Sequence, residues 1–216
     1  MKNNMSNIIK LSDFEARSAA TMGDLKGNGV VEKASRSIAA KRAVKVLRKR
    51  SRHNSVVLGI LEYDWPVATS IIETISDYIG SGIHTNNEPV IYDILEFAIE
   101  RYSKFLFHTR STKYEDAIRI AAFIEGLITK TCDVAQMKIT NESGTSSWAA
   151  GDKASFSEWY KRNGTSKLTV QPEPVENVQD LRKFLYELIA NDQVKHILKS
   201  ANYEKAVVFG SLAASH

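Results

Sequence analysis

Apolar residues recur at helical spacing through much of the chain. Ile71, Ile72, Ile75, Tyr78 and Ile79 share one side of a helix, as a period of 3.6 residues requires. Asp64 is placed to cap that helix, with Trp65 and Pro66 in its first turn, and Gly80-Ser81-Gly82 closes it. Ile91, Ile94, Leu95, Ala98, Tyr102 and Phe105 form a second stripe, entered through Asn87, Glu88 and Pro89. After a break at Thr109 to Thr112, Thr112 and Glu115 have capping-box spacing. Ala117, Ala121, Ile124 and Ile128 then continue as a third helix ending near Thr131. Asn177 and Asp180 open another, with Leu181, Leu185, Leu188 and Ile189 expected inward, and a further helical stretch covers Val194 to Phe209. The short apolar run 55–63 is ambiguous between a buried strand and a helical turn.

The stretches between differ in character. Residues 1–29 are polar and too poor in apolar residues for a core of their own, so they read as an arm that is flexible or ordered by a partner. Residues 30–52 predict a helix ending at Arg52-His53-Asn54, with Ala34, Ile38, Val44, Val46 and Leu47 among many cations. Residues 140–176 are rich in Ser, Thr, Gly and Asn. They hold a short helix capped by Ser155 and Glu158, and a short strand at Lys167 to Gln171. No long repeat or sustained heptad is present. The expected fold is mainly all-α: a helical bundle with a basic N-terminal arm, residues 1–54, a core domain over 55–216, and a loop-rich insertion near 140–176.

Charge adds what hydropathy does not show. The 216 residues carry a net charge of only +4. Residues 1–54 hold 13 Lys/Arg against 4 Asp/Glu, a net of +9, and the remainder has a net of −5. Residues 55–100 contain eight acidic residues and no Lys or Arg. Lys33, Arg36, Lys41, Arg42, Lys45, Arg48, Lys49, Arg50 and Arg52 crowd one predicted helix. Repulsion within such a helix is relieved by a polyanion, most commonly a nucleic-acid backbone. Docking on the acidic body is the competing destination. A membrane surface fits less well, because residues 30–53 have no aromatic anchor. A basic arm and an acidic body also suit head-to-tail contacts between copies.

Candidate chemistry is sparse. The single cysteine, Cys132, excludes an internal disulfide and a Cys-rich zinc site. No phosphate-loop, dinucleotide, metal or serine-hydrolase fingerprint occurs, so neither cofactor nor metal is expected. Trp148, Trp159 and Tyr160, near Lys153, Lys161, Arg162 and Lys167, are candidates for stacking on bases. Arg101 and His108, separated by six residues, are seven apart and so share a helical face, and Arg48 and His53 are separated by four. An Arg followed at that spacing by a His resembles the motif of HEPN-type ribonucleases, small helical domains that dimerise around their cleft. The resemblance implies that Arg101 stabilises phosphate charge and His108 moves a proton. A helix-turn-helix around Gly80–Gly82, as in a DNA-binding regulator, would sit among acidic residues that oppose phosphate.

The chain has no apolar run long enough to cross a membrane. Its first ten residues lack the apolar core of a signal peptide, so an intracellular or virion-internal location is expected. Taken together, the sequence predicts a helical nucleic-acid-binding protein, RNA favoured, that self-assembles in the manner of a nucleocapsid or coat protein.

Overall fold

A computed structural model describes residues 7–10, 40–80, 83–85, 88–108, 115–152, 154–163 and 167–212. The fold is mainly helical, with a small sheet at one side. Helical residues 40–50 (α1) are followed by α2 (Arg52–Asp64), α3 (Ala68–Ile79), α4 (Val90–His108) and α5 (Glu115–Val134). Further along come α6 (Phe156–Asn163), α7 (Val178–Ile189), α8 (Asp192–Ser200) and α9 (Glu204–Phe209). The strands are β1 (Asn7–Lys10), β2 (His84–Thr85), β3 (Glu88–Pro89), β4 (Met137–Asn141), β5 (Ser147–Ala149) and β6 (Lys167–Pro172).

The antiparallel pair α4 and α5 is the spine. Ile91, Ile94, Leu95, Ala98 and Tyr102 on α4, and Ala117, Ala121, Ile124 and Ile128 on α5, are buried as their spacing predicts. Gly126 sets their approach: a Cβ there would lie 2.9 Å from the Ala98 Cα. Phe123 receives the edges of Trp65 and Tyr102, with centroids 6.0 and 6.4 Å away, a favoured aromatic geometry.

Several boundaries differ from the sequence expectation. The first basic helix ends before Ser51, not at 52–54. Ser51 is extended (φ −149°), and its hydroxyl accepts from the Asn54 amide at 3.0 Å. The same residue therefore stops one helix and caps the next. That next helix, α2, settles the ambiguous run 55–63 as helix. Asp64 ends α2 instead of capping α3. Trp65 is a C-cap, and α3 begins at Ala68 without a side-chain cap. Leu188 is exposed, while Arg182 and Tyr186 take the inward positions beside Leu181, Leu185 and Ile189. The stretch 194–209 is two helices, divided where Asn202 adopts φ +61°. Thr112 and Asn87 lie outside the described residues.

The insertion near 140–176 holds more order than expected. β4 and β5 form a hairpin, and β6 and β1 extend it into an antiparallel sheet ordered β1-β6-β4-β5. Met137, Ile139 and Asn141 on β4 face the core, and the Ser146 amide donates to Asn141 Oδ1 at 3.1 Å to hold the turn. The capped helix 156–163 forms as predicted, with the Glu158 amide donating to Ser155 Oγ at 3.1 Å.

Candidate nucleic-acid interface

The basic helix α1 is anchored by its few apolar residues. Ala40, Ala43 and Leu47 are 0–1 % exposed and belong to the same buried cluster as α2 to α5. Packing therefore does not divide at residue 54: residues 40–54 are part of the core domain. Once these three positions face inward, the helical repeat fixes where every cation of α1 points.

Two arginines flank the buried stripe and are spent on the body. Arg48 Nη2 lies 2.5 Å from Glu62 Oε2 on α2. Arg50 reaches Glu88 at 2.5 Å and Glu96 at 3.2 Å, and its guanidinium sits 5.2 Å from the Tyr92 ring centroid. Burial opposes the charge of Arg50, but Glu88 and Glu96 outweigh it and hold its pKa above the ordinary value. Asn54 Nδ2 donates to the other oxygen of Glu96 at 3.3 Å. Pairs this exposed each contribute at most about 1 kcal/mol, so they orient the helix and its apolar residues hold it.

Lys41, Arg42, Lys45 and Lys49 are exposed on the opposite side. At about 100° per residue they fall within one arc of roughly 100° facing away from the core. The four positions span about 12 Å along the axis, from the 1.5 Å rise per residue. Arg52, also exposed, opens α2 beyond the Ser51 break. The predicted cations thus divide into a body-bound pair and an outward row. Lys33 and Arg36 lie outside the described residues. The row can meet phosphate oxygens without disturbing the ion pairs beneath it.

Of the acidic surface that the charge layout offers to a neighbour's basic arm, Glu62, Glu88 and Glu96 are paired with Arg48 and Arg50 of the same chain.

Two of the three aromatic candidates are enclosed. Trp148 is fully buried, its indole donates to the Ala154 carbonyl at 3.0 Å, and its ring meets the Tyr78 and Phe156 rings. Trp159 is 7 % exposed and donates to Ser146 Oγ at 2.9 Å. Tyr160 stacks on Phe156 with centroids 5.8 Å apart. These rings tie α6 and the hairpin to α3 and leave no open face on Trp148 or Trp159 for a base. Among the nearby cations, Lys167 pairs with Glu142 at 3.5 Å and Lys153 lies outside the described residues.

The arginines of both Arg–His pairs have carboxylate partners, Glu62 for Arg48 and Glu125 for Arg101. Arg101 donates to Glu125 on α5, where their side chains are 16 % and 3 % exposed. Its stem packs on Gly126 at the α4–α5 crossing. His108 ends α4, and its side chain is outside the described residues. The break at Ser51 separates Arg48 from His53. Cys132 is buried, and burial pushes its thiol up to about 12, the opposite of an activated nucleophile.

Among the described residues, no group of three or more His, Cys, Asp or Glu is placed to hold a metal ion. Nor, among them, is any single helix long and apolar enough to cross a membrane. No protein-family profile, curated protein or solved structure matches the chain.

Proposed function

We propose that the protein binds nucleic acid through the outward row Lys41, Arg42, Lys45 and Lys49, with Arg52 extending it, and that it packages or scaffolds that nucleic acid as copies associate. One observation carries this: the cations of α1 that face the body are paired there, and those that face outward form a row with no acidic residue of α1 among them. Such a row recognises phosphates without reading sequence. A single strand can bend to follow a straight row of about 12 Å, which is why RNA is preferred to duplex DNA as the ligand. Lys33 and Arg36 extend the cationic sequence toward the N-terminus. The ribonuclease alternative has less behind it, because Arg101 is committed to Glu125.

The test is purification of the full chain without nuclease, reading the ultraviolet absorbance ratio and the size of extracted nucleic acid. Wild type should carry RNA, and Lys45→Glu/Lys49→Glu should lose it with an unchanged circular dichroism spectrum. Nucleic-acid-free wild type, or a variant that retains its RNA, would overturn the proposal.

A further inference from the structure

α2 has apolar residues on both sides. Val57, Leu58 and Leu61 are buried in the core, yet Val56 is 50 % and Tyr63 88 % exposed on the opposite side, with Gly59 and Ile60 half-buried between them. A helix apolar all round is normally enclosed on all sides. Its charges also oppose its own dipole. Arg52 and His53 occupy the first turn and Glu62 and Asp64 the last, whereas anions favour the N-terminus and cations the C-terminus. Arg48 answers Glu62 within the chain. Arg52 stands exposed at the positive end of the dipole.

We propose that the outer side of α2 docks against the same side of α2 in a second copy of this chain, antiparallel, about a two-fold axis near Gly59. Antiparallel pairing sets Arg52, in the first turn of each helix, beside the anionic last turn of the other, so one symmetric contact answers the charges left after Arg48 has paired with Glu62. The midpoint between the charged turns falls at residues 58–59. Gly59 lies there, and a Cβ on it would meet nothing within 4 Å among the described residues. Glycine inside a helix is a penalised choice, and on an outward side it permits close approach of a second backbone. Val56 and Tyr63 flank it one turn away on either side. A helix of 13 residues is only about 20 Å long, so the contact between two such helices is small beside the roughly 1,200 Å² at which stable interfaces begin. The dimer is therefore weak, dissociating in the micromolar range. It gives the association in the preceding proposal a surface, but it forms without nucleic acid.

Sedimentation velocity of the nuclease-treated full chain, from about 1 to 200 µM, tests this. Wild type should pass from monomer to dimer. Val56→Glu should remain monomeric, and Arg52→Glu should raise the dissociation constant about tenfold. Gly59→Cys should form an intermolecular disulfide on mild oxidation, while wild type, whose only thiol is the buried Cys132, should not. A strict monomer overturns the proposal, as does a dimer indifferent to both Val56→Glu and Arg52→Glu. So does a Tyr63→Ala variant that loses RNA affinity while its self-association is unchanged, which would assign this side of α2 to bases. Because sedimentation and cross-linking contain no nucleic acid, their failure leaves the phosphate-binding row untouched.

Discussion

Replacing Glu125 by glutamine removes one of two charges held between α4 and α5. Glu125 is 3 % and Arg101 16 % exposed at the side chain, and Arg101 Nε is buried with no hydrogen-bond partner among the described residues. The carboxylate is therefore the main counter-charge to a guanidinium that water reaches poorly. Breaking a buried pair from one side costs about 3–5 kcal/mol. The residual exposure of Arg101 places Glu125→Gln near the lower end, at about 3 kcal/mol. Relaxation offers little relief, because Gly126 and Ala98 already bring the helices into near-backbone contact beside the pair. For a chain of this size the loss corresponds to a fall in Tm of roughly 6–12 °C. Arg101→Met/Glu125→Leu removes both charges at similar volume and should return to within about 1 kcal/mol of wild type. The assay is urea unfolding followed by circular dichroism, closed as a double-mutant cycle. A Glu125→Gln variant within about 0.5 kcal/mol of wild type, or a double variant no better than the worse single one, would refute this reasoning. The same variants bear on the ribonuclease resemblance: RNA incubated with wild type and with Arg101→Met should remain equally intact.

Other expectations follow from the packing. Trp159→Phe should cost about 1 kcal/mol through the lost bond to Ser146, yet leave RNA affinity unchanged in fluorescence anisotropy; a drop in affinity would return that ring to the interface. Burial raises the Cys132 thiol from 9.0 to about 12 in the fold, so its contribution is complete below pH 9 and lost as pH rises toward 12. The urea midpoint should fall between pH 8 and pH 10 by an amount equivalent to about 1.4 kcal/mol, and Cys132→Ala should flatten that fall. Gly80→Ala should destabilise by more than about 1 kcal/mol. Its φ is +83°, and a Cβ would come within 2.2 Å of the Phe156 ring, so thermal melting checks both causes at once.

Helical periodicity made the spine legible from sequence. The stripes of α4 and α5 are long, and a long stripe outvotes local ambiguity. The caps at Ser155 and Asn177 were legible too, because a short polar side chain has few other uses before an apolar run. β4 and β5 were not: five and three residues alternate too briefly to separate a strand from a loop, and the second partner of β4, β6, lies some 30 residues away. The cations around Ser51 read as a C-terminal turn, whereas its hydroxyl caps the helix that follows. Six of the nine clustered cations fall on α1. Their division into paired and outward sets depends on three residues, Ala40, Ala43 and Leu47, that choose the inward side. Trp148 and Trp159 illustrate the reverse error. Polar neighbours in the sequence suggest exposure, but an indole contributes most when enclosed, and each donates to an acceptor beside it, the Ala154 carbonyl and Ser146 Oγ.

The salt dependence of RNA binding addresses the outward row most directly. Each phosphate contact on a single strand contributes about −0.7 to the slope of log K against log salt, so four cations give a slope of about −3. Anisotropy titrations of a labelled single-stranded RNA between about 50 and 200 mM salt should find that slope, or a steeper one if Arg52, Lys33 and Arg36 take part. In Lys41→Gln/Arg42→Gln/Lys45→Gln/Lys49→Gln it should become shallower by about 3, with the fold intact by circular dichroism. An unchanged slope and affinity in that variant would contradict the assignment of phosphate binding to this face of the helix.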